Sequence, residues 1–485
     1  MKYEDIKDIK GVNIYAEKLI QMIDEFREKI KCGTRDPENF LTISEIEHLW
    51  SELKGNTNVL YSNMIEETLS QIDETELVNK KKTEYLKKGI ELEINKRLQH
   101  TIITMNGKLS YWRKVLRPKT KEDHEKLLKM EGISEIIPLD YYLGIANLPY
   151  KMTVDVMLEV AYWAQNQHSY EEAEETVKKV MGLEINDDTI RSVTDTIGSI
   201  VFENDCRAAK EMCTKLNQGK LSFPDNKKEG ILYIETDGSA LNTRLKNSAG
   251  SSWRENKLGM VFSSDNIHTW TDKHGERQHK INKREYVSYI GSVEEFKWHL
   301  LACAIRNGYG SYKKVIILGD GATWIRDMKD EIYPDGQLIL DLYHLSENIN
   351  TFGKDIFKMD ESLYKPWVER IYSDLKSSKY KQVLQELQAI PESINERSKV
   401  NLKEYIFNNI DNIDYVKYQK EGYFVGSGAI ESGNKIILQE RLKQAGMRWN
   451  VKTAQHLLTL RAKEESGLWI QDVVNPVLDY YGIMV

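Results

Sequence analysis

An α/β protein of several domains is predicted, its centre a mixed sheet flanked by helices, and three observations carry the prediction. From Gly230 onward, short apolar runs at 231–234, 258–262, 286–290, 315–318 and 338–340 read as strands. The early runs follow one another directly, and the later ones alternate with helical stretches at 293–306 and from 343 on, which is the order of a mixed sheet covered by helices. Segments before and after these runs have the threefold and fourfold apolar spacing of helices. At roughly 150 residues per domain, 485 residues leave room for about three domains with real cores.

Composition excludes several classes. With 40% hydrophobic and 29% charged residues the chain is too apolar to be disordered. No stretch approaches the length of a membrane span, and the N-terminal MKYEDIKDIKG carries acids where a signal peptide needs an apolar segment, so a cytoplasmic protein with no membrane partner is expected. Cys32, Cys206, Cys213 and Cys303 stand far apart without a C-x-x-C pair, so reduced, buried thiols are expected. Lys and Arg total 68 against 75 acids, a net charge of −7, which confines any DNA contact to a local basic patch.

Residues 1–98 read as a helical N-terminal region, with Ile14, Ala16, Leu19, Ile20, Met22, Ile23 and Phe26 on the apolar positions. Residues 99–150 read as a basic hairpin and linker. Alternation between His100 and Val115 surrounds Asn106-Gly107, a dipeptide suited to a tight turn whose two central residues take positive φ. The second strand carries Arg113, Lys114, Arg117, Lys119 and Lys121 around Tyr111 and Trp112, either a DNA-binding patch or a solvated strand edge guarded by charge. Residues 151–228 are helical and helix-turn-helix-like: Ser169 and Glu172 make a capping box, Gly182 ends that helix, and Asn186 or Asp187 caps the next through Val201. Asp187, Asp188 and Asp195 there outnumber Arg191 and would repel phosphates, which favours an ordinary bundle. The sheet-bearing domain takes residues 229–344 and 421–465, with 345–420 a charged helical insertion and 466–485 a C-terminal tail.

Acids occupy special places in that domain. Asp237 follows ILYIET and precedes Gly238, and Asp320 follows VIILG and precedes Gly321. An acid at the end of an apolar strand is held by the sheet yet open to solvent, and the glycine lets a ligand approach. Two such positions point to a metal site, with paired Asp-Gly turns as the alternative. Asp341 and His344 share a face if a helix begins there, although a lone histidine also serves structural ends. Glu431 stands where the loop GSGAIES gives way to a helix over 430–465. Lys435, Arg441, Lys443, Arg448, Lys452 and Arg461 against Glu431 and Glu440 make this the strongest basic patch. Two Mg²⁺ ions, with Mn²⁺ as a substitute, need shared hard oxygen ligands and act on phosphodiesters, and the cations would hold the polyanion over them.

Taken in order, ETDGS at 235–239, LGDGATWI at 318–325, DLYHL at 341–345 and GSGAIES followed by ERLKQAGMRW at 426–449 resemble the DDE transposases of bacterial insertion sequences, specifically the ISLre group, over about residues 95–465. The resemblance implies a ribonuclease-H-like catalytic domain in which Asp237, Asp320 and Glu431 are the catalytic, metal-holding triad, Asp341 and His344 an accessory motif, and 345–420 the insertion before the catalytic glutamate. It implies Mg²⁺-dependent cleavage of DNA at element ends followed by strand transfer, by a homo-oligomer acting on the bacterial nucleoid. Arg113, Lys114, Arg117, Lys435, Arg441, Lys443, Arg448 and Lys452 are then the expected DNA contacts. Competing readings are a nuclease of the same fold that cuts without joining and an inactive, domesticated DNA-binding protein. A metal phosphohydrolase of small molecules leaves the basic segment unexplained. Between Asp320 and Asp341 as second metal ligand, the small Gly321-Ala322 favours Asp320, and Asp341 is expected to orient the His344 imidazole.

Overall fold

The computed structural model describes residues 12–33, 42–275 and 277–483, so the N-terminal acids weighed against a signal peptide lie outside the described residues. The chain divides into two units, one of Met1–Ala164, Tyr170–Val193 and Val477–Val485, the other of Gln165–Ser169 and Thr194–Pro476.

The first unit contains helices α1 (Val12–Gly33), α2 (Ile43–Ser70) and α3 (Thr75–Lys87), then a hairpin of β1 (Leu92–Thr104) and β2 (Gly107–Pro118), then α4 (Lys121–Glu131). The strand begins at Leu92, so the helical N-terminal region ends before residue 98. Thr104 pairs with Gly107, which puts Met105 and Asn106 at the centre of the turn and Gly107, φ 114°, at the start of β2. The turn thus sits one residue earlier than the Asn-Gly dipeptide suggests. The Thr104 hydroxyl accounts for it, accepting from Asn106 N and donating to the Gly107 carbonyl at 3.2 and 3.0 Å. Val78, Tyr85, Leu92, Leu116, Leu127 and Ile136 bury the inner side of this arrangement.

Helices α5 (Val154–Asn166), α6 (Tyr170–Met181) and α7 (Asp187–Asn217) follow. Gly182 at φ 69° ends α6, and Asn186 Oδ1 accepts from Thr189 N at 2.8 Å to start α7. Helix α7 runs well past Val201, because Ala209, Met212 and Leu216 continue its apolar face.

The second unit is built on β3 (Lys228–Asn242), β4 (Trp253–Ser263), a ribbon of β5 (Ile267–Thr271) and β6 (Arg277–Ile281), β7 (Glu285–Ile290), α8 (Val293–Arg306), β8 (Tyr312–Gly319), α9 (Thr323–Ile332) and β9 (Gln337–Leu340). Its five-stranded sheet has the order β7-β4-β3-β8-β9, antiparallel on the β7 side and parallel from β3 to β9. Each apolar run expected as a strand lies in this sheet, and the mixed α/β class holds. The β5–β6 ribbon was not expected. Leu232, Ile234, Val261, Phe296, Leu300, Ile317 and Ile325 form the core between the sheet and the α8 and α9 helices.

Asp320 follows β8 as expected, but Asp237 lies inside β3, which keeps pairing with β4 as far as Asn242 opposite Trp253. The cross-strand ladder overrides the local turn preference of Asp-Gly. After β9 come α10 (Leu342–Ile356), α11 (Glu361–Lys376), α12 (Tyr380–Ala389), α13 (Leu402–Asn408) and α14 (Tyr415–Lys420), so 345–420 is helical as read. The single helix expected over 430–465 is broken: α15 (Gly428–Asn434) passes into a π-turn at Lys435–Gln439, and residues 443–450 form a loop before α16 (Val451–Glu465). Gly446 at φ 80° opens that loop, and Asn450, accepting from Lys452 N at 2.9 Å, caps α16. A final helix, α17 (Asn475–Tyr480), closes the chain.

Helices α7 and α16 meet at Gly198, where an added Cβ would stand 2.7 Å from His456 Cβ and 2.9 Å from its carbonyl oxygen. Because backbone is involved, the contact has little room to relax. Gly198→Ala is expected to destabilise the chain by about 1–3 kcal/mol, read as a lowered urea midpoint.

Candidate functional site

Side chains two apart on a strand share a face, so β3 presents Glu235 and Asp237 on one side of the sheet. Both hold α15. Glu235, buried, accepts from Ile430 N at 3.1 Å, and Asp237, half-buried, accepts from the Asn434 amide one helical turn on. Glu431 lies between these two anchors and accepts from the Ser427 hydroxyl at 3.1 Å. Asp320 leaves β8 in a turn in which its carboxylate accepts from Ala322 N at 2.9 Å, and its carbonyl accepts from Tyr405 O–H at 2.7 Å. Gly321 has φ 83° and Leu340 and Asn409 pressed against the place of a Cβ, so no larger residue fits.

Asp341 follows β9, is fully buried, and caps α10. Its Oδ2 accepts from His344 N at 2.9 Å and its Oδ1 from Ser427 N at 2.7 Å. This corrects the expectation that Asp341 orients the imidazole. It holds the backbone of His344, as N-cap geometry dictates, while the ring Nδ1 faces Glu347 Oε2 at 3.4 Å.

One ligand atom each from Asp341, His344 and Glu431 fall within 4.8 Å of one another. Of the expected triad, Glu431 belongs to this group, whereas Asp237 and Asp320 stand outside it. They remain close enough for their charges to act: burial raises the Asp237 carboxyl above the usual range, Asp320 adds to the rise, and His344, Gly238 N–H and Asn434 oppose it. Burial pushes Glu235 up to about 8, with Asp341 and Glu431 adding repulsion and the Ile430 N–H opposing. Among the described residues, none of these five acids forms an ion pair with lysine or arginine. Carboxylate oxygens with a single imidazole are the donors a hard divalent cation takes, and the imidazole suits Mn²⁺ as well as Mg²⁺.

Glu235 was missed in the sequence, although its signal was present: an ionisable residue on the inward side of an otherwise apolar run.

The expected DNA contacts divide. Arg441, buried, donates to the His168 carbonyl at 3.0 Å and stacks over Trp449, and Arg461, also buried, donates to the carbonyls of Ile436, Ile437 and Gln165. Neither presents a cation to solvent, because the break after Leu442 folds the segment back on itself. Lys435, Lys443, Arg448 and Lys452 are exposed, and Lys443 donates to Ser239 Oγ at 3.0 Å, two residues beyond Asp237. On the hairpin, Arg113 is paired with Asp140, Arg117 with Glu93 and Lys119 with Glu91, while Glu74 holds the backbone N–H of Lys114. Arg113, Arg117 and Lys119 are thus neutralised by acids. Cys303 is buried, but Cys206 and Cys213 are only half-buried, and the side chain of Cys32 lies outside the described residues.

The sequence profile of an uncharacterised protein family, UPF0236, matches residues 37–474. The chain belongs to UPF0236. No curated protein matches it. The UPF0236 match takes in the hairpin, the whole sheet, and α10 and α15 with all five acids. Among the described residues of this UPF0236 protein, no helix is long and apolar enough to cross a membrane.

Because Glu235 takes up its proton near pH 8 in the folded chain and near 4.5 when unfolded, folding binds a proton between those values. Its contribution to stability is full below pH 4.5 and lost as pH rises through 8. In EDTA, wild-type stability is expected to fall with pH across this window more steeply than that of Glu235→Gln, by up to about 1.4 kcal/mol per pH unit. Parallel curves from chemical denaturation would remove Glu235 as the titrating group.

Proposed function

We propose that this chain is a DDE transposase of an insertion sequence, a divalent-metal-dependent enzyme that nicks DNA at element ends and joins the freed 3′-hydroxyl to target DNA. The observation that carries the reading is the gathering of acids from four separate segments, β3, the end of β8, the start of α10 and α15, at one end of a mixed sheet. The sheet's order, antiparallel on one side and parallel on the other, supports its assignment as ribonuclease-H-like.

Asp237, Asp320, Asp341 and Glu431, with His344 beside them, are the residues that would hold the ions. A pair of Mg²⁺ ions, or Mn²⁺, supplies Lewis acidity for in-line displacement at phosphorus. Glu235 and Asn434 keep α15 seated so that Glu431 stays over the sheet. Exposed Lys443, Arg448 and Lys452 hold phosphates electrostatically, which an acid-rich site needs if it is to receive a polyanion. Two DNA ends must be held together, so a homo-oligomer acting in the bacterial cytoplasm follows from this reading.

With duplex DNA carrying the sequences that flank the gene, the full chain in Mg²⁺ is expected to nick and to yield joined products. Asp320→Asn should bring nicking below detection while DNA binding persists, and His344→Ala should slow it by about 10–100-fold. Wild-type nicking by Asp320→Asn contradicts the assignment. Nicked but never joined products would make the chain a nuclease.

A further inference from the structure

The turn after β3 with the first two residues of β4, residues 243–254, and the loop before α16 with its first two residues, residues 443–452, lie side by side. Thr243 forms a parallel bridge with Trp449, Arg244 N donates to the Trp449 carbonyl at 2.8 Å, and Arg244 Nε donates to the Arg448 carbonyl at 3.3 Å. Together the two segments hold Arg244, Lys246, Arg254, Lys443, Arg448 and Lys452 and no Asp or Glu, in a chain whose net charge is −7. Five of the six are exposed and Arg254 is half-buried. Among the described residues none of them forms an ion pair, unlike Arg113, Arg117 and Lys119. This cationic ledge follows directly on the strand that carries Asp237, its first residue about 20 Å further along at 3.3–3.4 Å per residue, while Lys443 reaches back along the strand to Ser239.

A cavity of about 480 Å³ opens beside the ledge. Leu245, Trp449 and Lys452 line it from the ledge, and Phe202, Tyr289 and His456 line it from α7, β7 and α16. The Phe202 ring lies 6.2 Å from Tyr289 and 6.0 Å from His456, so one wall is built of aromatic rings, with Phe202 and Tyr289 half-buried and His456 buried. His456 is fixed by Asp195 on Nδ1 at 2.7 Å. The acid on the wall, Glu203, accepts from Ser199 at 3.3 Å.

An aromatic-walled cavity of this size beside a surface whose cations outnumber its acids, Glu203 on the wall and Glu255 next to Arg254, matches a ligand with a flat ring at one end and phosphate at the other. We propose that the cavity takes an unpaired base of a DNA strand whose phosphates lie along the 243–254 and 443–452 ledge, an inference that rests on DNA being the substrate. The ledge's continuity with β3 selects a nucleotide within a strand over a free one, since a strand lying on it runs toward the acids. Sequence reading had Lys443, Arg448 and Lys452 as DNA contacts. Arg244, Lys246 and the aromatic cavity are additions.

The test uses the full chain and short duplexes carrying 2-aminopurine, either paired with thymine or placed opposite an abasic site. The unpaired form is expected to bind about tenfold more tightly, with its fluorescence quenched by stacking. Ser199→Trp, which fills the cavity from a half-exposed position on α7, should abolish the preference and the quenching. Arg244→Ala with Lys246→Ala should weaken both duplexes and flatten the log–log salt dependence by about two units at most. Equal affinity for the two duplexes, or an undiminished preference in Ser199→Trp, overturns the cavity's role while leaving the transposase reading standing. Displacement of the strand by an equal concentration of deoxyadenosine monophosphate overturns it in favour of a free nucleotide. Absence of any DNA binding removes the transposase reading as well.

Discussion

A buried carboxylate that accepts two backbone N–H groups from separate segments is the constraint on which the site depends. Asp341 has no solvent exposure, and it ties the first turn of α10 to the loop before α15 through His344 N and Ser427 N. Charge-assisted bonds of this kind are stronger than neutral ones, and each uses only one of the lone pairs on its oxygen. The same carboxylate can therefore fix the backbone and still offer electron pairs to a cation. His344 and Glu431 owe their closeness to it, since each follows a residue or a backbone group that Asp341 holds.

The sheet supplies the second constraint. Strand β3 outlasts β8, which leaves Asp237 on a strand paired with β4 alone while Asp320 turns away at the end of its neighbour. Glu235 and Asp237 then fasten α15 at Ile430 and Asn434. A cluster of acids without lysine or arginine repels itself, which works against the hydrogen bonds these carboxylates make in the absence of a cation. The apolar core around Leu232, Ile234, Phe296 and Ile317 holds it in place. The upward push on Glu235 and Asp237 comes first from their burial, with neighbouring acids adding to it.

Much of the fold was legible because the signals are local. The five sheet strands are apolar runs, and α8 spans the stretch 293–306 read as helical. What escaped reading depends on distant partners. Asp237-Gly238 looks like a turn until β4 is known to pair across it. Arg441 and Arg461 count as surface cations until the chain breaks after Leu442 and turns them inward to carbonyl oxygens. The β5–β6 ribbon carries His268 and Trp270 among polar residues, and its alternation is too short to stand out. For the site, Asp237, Asp320, Asp341, His344 and Glu431 were each visible and read as a triad with an accessory pair, whereas the closeness of Glu431 to Asp341 and His344 was not. Which acids share a cation depends on caps and helix anchors that only the folded chain reveals, and Glu235 passed as part of a core strand.

The central claim is that these acids are held together for a divalent cation, and Mn²⁺ binding tests it most directly. Titration of the full, EDTA-stripped chain with Mn²⁺, followed by electron paramagnetic resonance of the free ion and by thermal melting, is expected to show saturable binding with a rise in melting temperature. Both should be lost in Glu431→Gln, which keeps the side chain's shape and removes its charge. Binding that never saturates, or that is the same in Glu431→Gln as in the wild type, would contradict the account.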